Sequence, residues 1–246
     1  MNNKVDYVSL RVLPYTILTM FVVMPVLILI SIAVMALNTR VGHVSGNILD
    51  IMAAIYSNGI FVSYIAVIAA LICLYRLNDI NRWFGYAWMA FALDLVAKMG
   101  VQIMEWIGTA VDGRVTFRFV VAILYPLPDI CIMFAVVSML RGFMSLYELM
   151  GSDGGVLCGR LKKNWYILQI VRIVSVIPFY VIVIVMQMNR IGLYGQVSTG
   201  VMAAFIVLLT LSIILLVYHT GLGFLVYMQT KRACQEYYIY SYNHGR

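Results

Sequence analysis

Three ionisable side chains, Asp94, Lys98 and Glu105, interrupt the apolar run FALDLVAKMGVQIMEW, Phe91 to Trp106. On a helix advancing roughly 100° per residue they fall within roughly 40° of one another, with Gln102 at the edge of the same stripe. Asp94 and Lys98 are four residues apart, the spacing at which opposite charges pair along a helix. A charge facing lipid at mid-membrane costs at least about 2.5 kcal/mol on insertion scales. The stripe is therefore expected to face the interior of a helical bundle. There it can bind a proton or a small cation, meet an anionic group, or lock helices in register.

Two further charges lie in apolar surroundings. Asp129 sits in YPLPDI, where Pro126 and Pro128 each remove a backbone donor and disturb the preceding turn. A carboxylate beside a broken helix is an arrangement found at transporter binding sites. Arg172 lies about two turns into the fifth apolar run. Asp94, Lys98, Glu105, Asp129 and Arg172 form the candidate ion pathway: three acids against two bases. The surplus acid would be protonated or would hold a cation. His219 lies in VYHTGLGF and reads as a hydrogen-bonded helix residue rather than a ligand. A second pattern, Gly59, Ser63, Ala66 and Ala70, is a small-residue stripe at helical spacing that permits close helix packing, within the protomer or between protomers.

The elements that must position these residues are legible from composition. The 246-residue chain is 63% hydrophobic and 11% charged, with a mean hydropathy of +0.95. A typical soluble chain has about a quarter charged residues, and so apolar a chain lacks the polar surface to cover a core in water. Six apolar runs meet the transmembrane length of about 20 residues. They are Pro14–Leu37, Ile51–Tyr75, Trp83–Ala110, Arg118–Arg141, Trp165–Met188 and Ser198–Met228. Each must be helical, because backbone groups cannot stay unpaired in hydrocarbon. The fold expected is an all-α polytopic membrane protein: a six-helix transmembrane domain over residues 1–230 and a short polar, tyrosine-rich tail over residues 231–246. The first run exceeds the apolar core of a cleavable signal and reads as a retained span.

Orientation follows the basic residues. Eleven of the 17 Lys and Arg flank one face, including Arg76, Arg82, Arg160, Lys162, Lys163, Lys231 and Arg232, against four on the other. Both termini are thereby expected in the cytoplasm. This placement also explains the formal charge of +7 without invoking nucleic acid. Trp83 and Trp165 are expected at the inner headgroup level and Trp106 at the outer. Gly142–Asn164 reads as a long inner loop, with SLYELM a flexible or interfacial stretch and GSDGG a mobile turn. Pro25 and Pro178 are expected to kink their spans. RLNDINRW and RLKKNW, each leading into a span, fit either an internal duplication or the charge rule alone.

No HExxH, GxSxG or Walker A motif is present. The four cysteines include no CxxC pair, so neither a metal nor a cofactor is expected, and no catalytic spacing points to an enzyme. The leading expectation is a small transporter, channel or permease subunit of the plasma or inner membrane, with a small ion or solute as its cargo. The alternative is a sensor or scaffold that assembles with itself or with a partner membrane subunit.

Overall fold

A computed structural model describes residues 7–41, 46–110, 124, 126–190 and 199–244. All regular structure among them is helical. Six rods follow one another. The first is α1 (Tyr7–Leu18), a π-helical turn (Thr19–Val23) and α2 (Met24–Val41) in direct succession. Then come α3 (Gly46–Leu77), α4 (Arg82–Ala110), α5 (Pro126–Met150), α6 (Gly154–Arg190) and α7 (Thr199–Asn243). Five stretches are long and apolar enough to cross a membrane: Tyr7–Val34, Arg82–Met104, Pro126–Met150, Gly154–Ile182 and Thr199–Asn243; the described apolar part of α3, Phe61–Leu77, is shorter. The architecture is that of a multi-pass helical membrane protein.

Each rod packs on its neighbour in sequence, and α1 packs on α7, so the bundle closes into a ring. Tyr7 and Tyr238 meet edge to face at 4.9 Å, which places the start of α1 and the end of α7 at one end of the bundle. That end, inner by the charge rule, holds most of the core formed by the described side chains. Leu13, Ile17, Phe21, Leu74, Phe84, Met139, Phe143, Tyr147, Trp165 and Val226 are all essentially inaccessible there. Toward the other end the described side chains are largely exposed: Phe61 at 66%, Val174 at 66% and Val207 at 65%. A hydrocarbon environment accepts these apolar faces.

The π-helical turn has a local cause. Pro25 has no N–H to give to the carbonyl of Phe21, four residues back. The ladder widens there, and the Met24 N–H bonds to the Thr19 carbonyl. Gly223 of α7 lies against the Phe21 carbonyl; a Cβ at that position would stand 2.5 Å from this oxygen. The glycine thus lets α7 approach the first rod at the place where proline has opened it.

Several sequence-based expectations change. The long inner loop shrinks to Gly151–Asp153, because SLYELM is the last turns of α5 and α6 begins at Gly154. Gly151, at φ 66°, supplies the left-handed residue of the helix stop. Its N–H bonds to the Glu148 carbonyl and that of Ser152 to the Tyr147 carbonyl, the paired geometry of a Schellman end. SLYELM does not lie on the membrane surface: Leu146 and Tyr147 are core residues. Residues 231–243, read as a tail, continue α7, with Ala233, Cys234 and Tyr237 buried. Trp165 is fully buried against Phe21 at 5.0 Å, inside the bundle and not on its outer surface, whereas Trp83 sits half-buried beneath the Arg141 guanidinium at 4.7 Å. RLKKNW lies inside α6 while RLNDINRW spans the α3–α4 turn, so the two are not structurally equivalent. Pro178 lies within α6, which continues through it.

Candidate functional site

Of the charged stripe of α4, Asp94 turns into the bundle and Lys98 is partly buried beside it. Asp94 is completely buried, and Lys98 Nζ donates to its Oδ2 at 2.7 Å. The other carboxylate oxygen, Asp94 Oδ1, has no partner among the described residues. Farther along the same stripe, the Tyr64 hydroxyl of α3 donates to Gln102 Oε1 at 2.8 Å. The side chain of Glu105 lies outside the described residues.

Asp129 stands in the first turn of α5. Pro126 and Pro128 lie in that same turn, and Leu124 before them is helical. Residue 125 and the segment 111–123 lie outside the described residues. Asp129 Oδ1 accepts from Arg172 of α6 at 3.0 Å. Sequence reasoning chose these two residues separately, and the fold brings them together.

Arg172 makes a second contact that joins α7 to the site: its Nη1 lies 2.8 Å from His219 Nδ1. A guanidinium offers only donors, so Nδ1 is the acceptor and the imidazole is neutral, with its proton on Nε2. The Gln169 amide nitrogen also faces Nδ1, at 3.3 Å. Gln169 and Arg172 are one helical turn apart, which aims both at the same ring. Trp165 at 4.9 Å and Phe21 at 5.8 Å hold the imidazole from its other sides.

The two ion pairs form one electrostatic unit. Asp129 is close enough for its charge to act on Asp94, and Lys98 and Arg172 both act on His219. Among the described side chains the unit holds two acids, two bases and a neutral imidazole, carried by α4, α5, α6 and α7. It is also incompletely satisfied. Four buried side-chain polar atoms lack a partner among the described residues: Asp94 Oδ1, Trp165 Nε1, Gln169 Oε1 and Thr230 Oγ1. Three of the four belong to this unit or to the residues packed on His219. Unpaired buried polar groups are costly, and they concentrate where water, an ion or a substrate is handled.

The small-residue stripe packs inside the chain. Ala66 and Ala70 belong to the core and Ser63 is half-buried. Gly59's side-chain environment lies outside the described residues. Among the described residues no three His, Cys, Asp or Glu side chains converge as metal ligands. Gln169 and His219 are the members that spacing alone did not assign. Gln169 had a legible signal, a polar residue one turn before Arg172 in an apolar run. The partner of His219 is fixed only by how α6 meets α7.

No protein-family model, curated protein or solved structure matches the chain.

Proposed function

We propose that the chain is a small transporter or permease subunit that passes a proton or small cation along the inner lining of the ring, in a plasma or inner membrane. The observation that supports this reading is Asp94 Oδ1, a fully buried carboxylate oxygen with no partner among the described residues, beside two ion pairs. An acceptor left open in a low-dielectric interior favours occupation by a proton or cation. Lys98 and Arg172 balance the two carboxylates, so the resting site is neutral and a passing cation displaces an ammonium or guanidinium rather than entering an empty anionic hole. Gln102 and Tyr64 extend polar surface outward along α3 and α4, and Glu105 would stand near the outer mouth.

The test is ion flux into proteoliposomes under an imposed membrane potential, read with an internal pH dye or a sodium-sensitive dye. Asp94→Asn and Asp129→Asn are each expected to abolish flux while the protein elutes as a folded species. Unchanged flux in either variant removes that residue from the mechanism, and no flux in the wild-type chain defeats the reading.

A second reading, a scaffold or sensor that docks a partner or a second copy, is supported by the exposed Tyr7, Val8, Tyr238, Ile239 and Tyr242 at the inner end. Cross-linking and native mass spectrometry in mild detergent test it: a monomer under every condition argues against self-assembly.

A further inference from the structure

A cleft of ≈ 250 Å³ opens where α3 turns into α4, lined by Tyr75, Asn78, Arg82, Tyr86, Trp88 and Met89. It lies on the opposite side of α4's inner turns from the core-facing Phe84 and Ala87, which are buried. Its chemistry is layered. Arg82 begins α4, is exposed, and makes no ion pair among the described residues. Asn78 adds an amide beside it. Tyr75 and Trp88 stand with ring centroids 5.8 Å apart, two amphipathic rings of the kind that settle at the headgroup level. Tyr86 and Met89 are half exposed and continue the groove as an apolar face. The acid in the same turn, Asp79, does not line the cleft. Trp83, on the next position of α4 and beneath Arg141, adds a further amphipathic ring beside the cleft.

We infer that this cleft is a binding site for an anionic phospholipid of the inner leaflet, its phosphate on Arg82 and Asn78 and an acyl chain along Tyr86 and Met89. The volume suits a glycerophosphate headgroup and leaves the chains outside, on the lipid-exposed side of α4. A cation with no carboxylate in the lining selects a phosphate that carries no compensating amine. Basic pockets between transmembrane helices at the cytoplasmic face bind anionic headgroups by this chemistry. The proposal is independent of the charged ring, from which the cleft is separated by the buried face of α4.

The experiment is native mass spectrometry of the full chain with equal amounts of phosphatidylglycerol and phosphatidylcholine, paired with melting temperatures in the same lipids. Phosphatidylglycerol is expected to be retained about fivefold over phosphatidylcholine, the effect of one basic side chain at an anionic surface, and to raise the melting temperature. Arg82→Gln is expected to bring the two lipids to parity, whereas Arg160→Gln on α6 leaves the preference intact. Equal retention by the wild-type chain overturns the site, and that measurement needs no variant to fold. A preference that survives Arg82→Gln, or that Arg160→Gln abolishes equally, reports diffuse attraction and overturns it as well. Free glycerol phosphate that stabilises as strongly as the lipid overturns the acyl-chain seat.

Discussion

The two ends of the bundle are made of apolar helices, and their described side chains are buried to different degrees. At the inner end, side chains from all six rods form one core that includes Trp165, Phe143 and Tyr147, all at 0% exposure. At the outer end, the described parts of the same helices turn their apolar residues outward. α7 contains both conditions: Val226, Ala233 and Cys234 are buried, while Ile206, Val207 and Ile214 are exposed. Its 45 residues span about 68 Å at 1.5 Å per residue, against a hydrocarbon core of about 30 Å. Part of the interlocked end therefore extends beyond the hydrocarbon, where burying apolar area is driven by water. Within the lipid that drive is absent, and helices are held by close packing and polar contacts. Among the described side chains, one level of this molecule is a conventional hydrophobic core and the other presents its apolar residues outward, with the charged unit between them.

Substitutions can break this contrast. The largest effect is expected for Trp165→Ala, which empties a fully buried indole site; losses of about 3–5 kcal/mol are usual for such truncations. Phe61→Ala, at an exposed outer position, should leave stability nearly unchanged. Reversible unfolding in mixed micelles measures both, and equal losses would dissolve the distinction. Next is a pair of glycines on α7. Gly223→Val forces a side chain onto the Phe21 backbone, an overpacking cost of about 1–3 kcal/mol, whereas among the described residues nothing lies within 4 Å of a Cβ at Gly200. Gly200→Val should therefore be tolerated, and a comparable drop in melting temperature for both would show that the outer end is tightly packed as well. The smallest effect is expected for Tyr64→Phe, which removes one interhelical hydrogen bond worth about 0.6 kcal/mol in a membrane; a loss several times larger would make that bond part of a stiffer outer assembly.

How much was legible in the sequence varies with the physics of each part. Apolar run length identifies the rods, since hydrocarbon permits little besides helix. The inward turn of Asp94, its pairing with Lys98 and the burial of Ala66 and Ala70 follow from periodicity and the cost of exposing charge. The Asp129–Arg172–His219 chain required knowing which helices are neighbours, which no spacing within a single helix contains. The inner loop and the tail differ from expectation for one reason. Their glycine and polar residues carry loop chemistry, while the pairs Phe143 and Tyr147, Cys158 and Leu161, and Cys234 and Tyr237 each stand at a helical interval and are buried. Trp165 was placed at the headgroups by residue type, although its position one turn from Gln169 and two from Arg172 puts it on the inward face.

The contact between Phe21 and His219 joins the first rod to the last. At about 5–20 residues per second, a ribosome delivers α7 roughly 10–40 s after α1. Until then the imidazole is missing, Arg172 has only its carboxylate, and the first rod waits in the bilayer with one flank unfilled. Assembly of the polar ring is therefore a late event of biosynthesis, and nascent chains stalled before α7 should carry the helices but not the sealed interior.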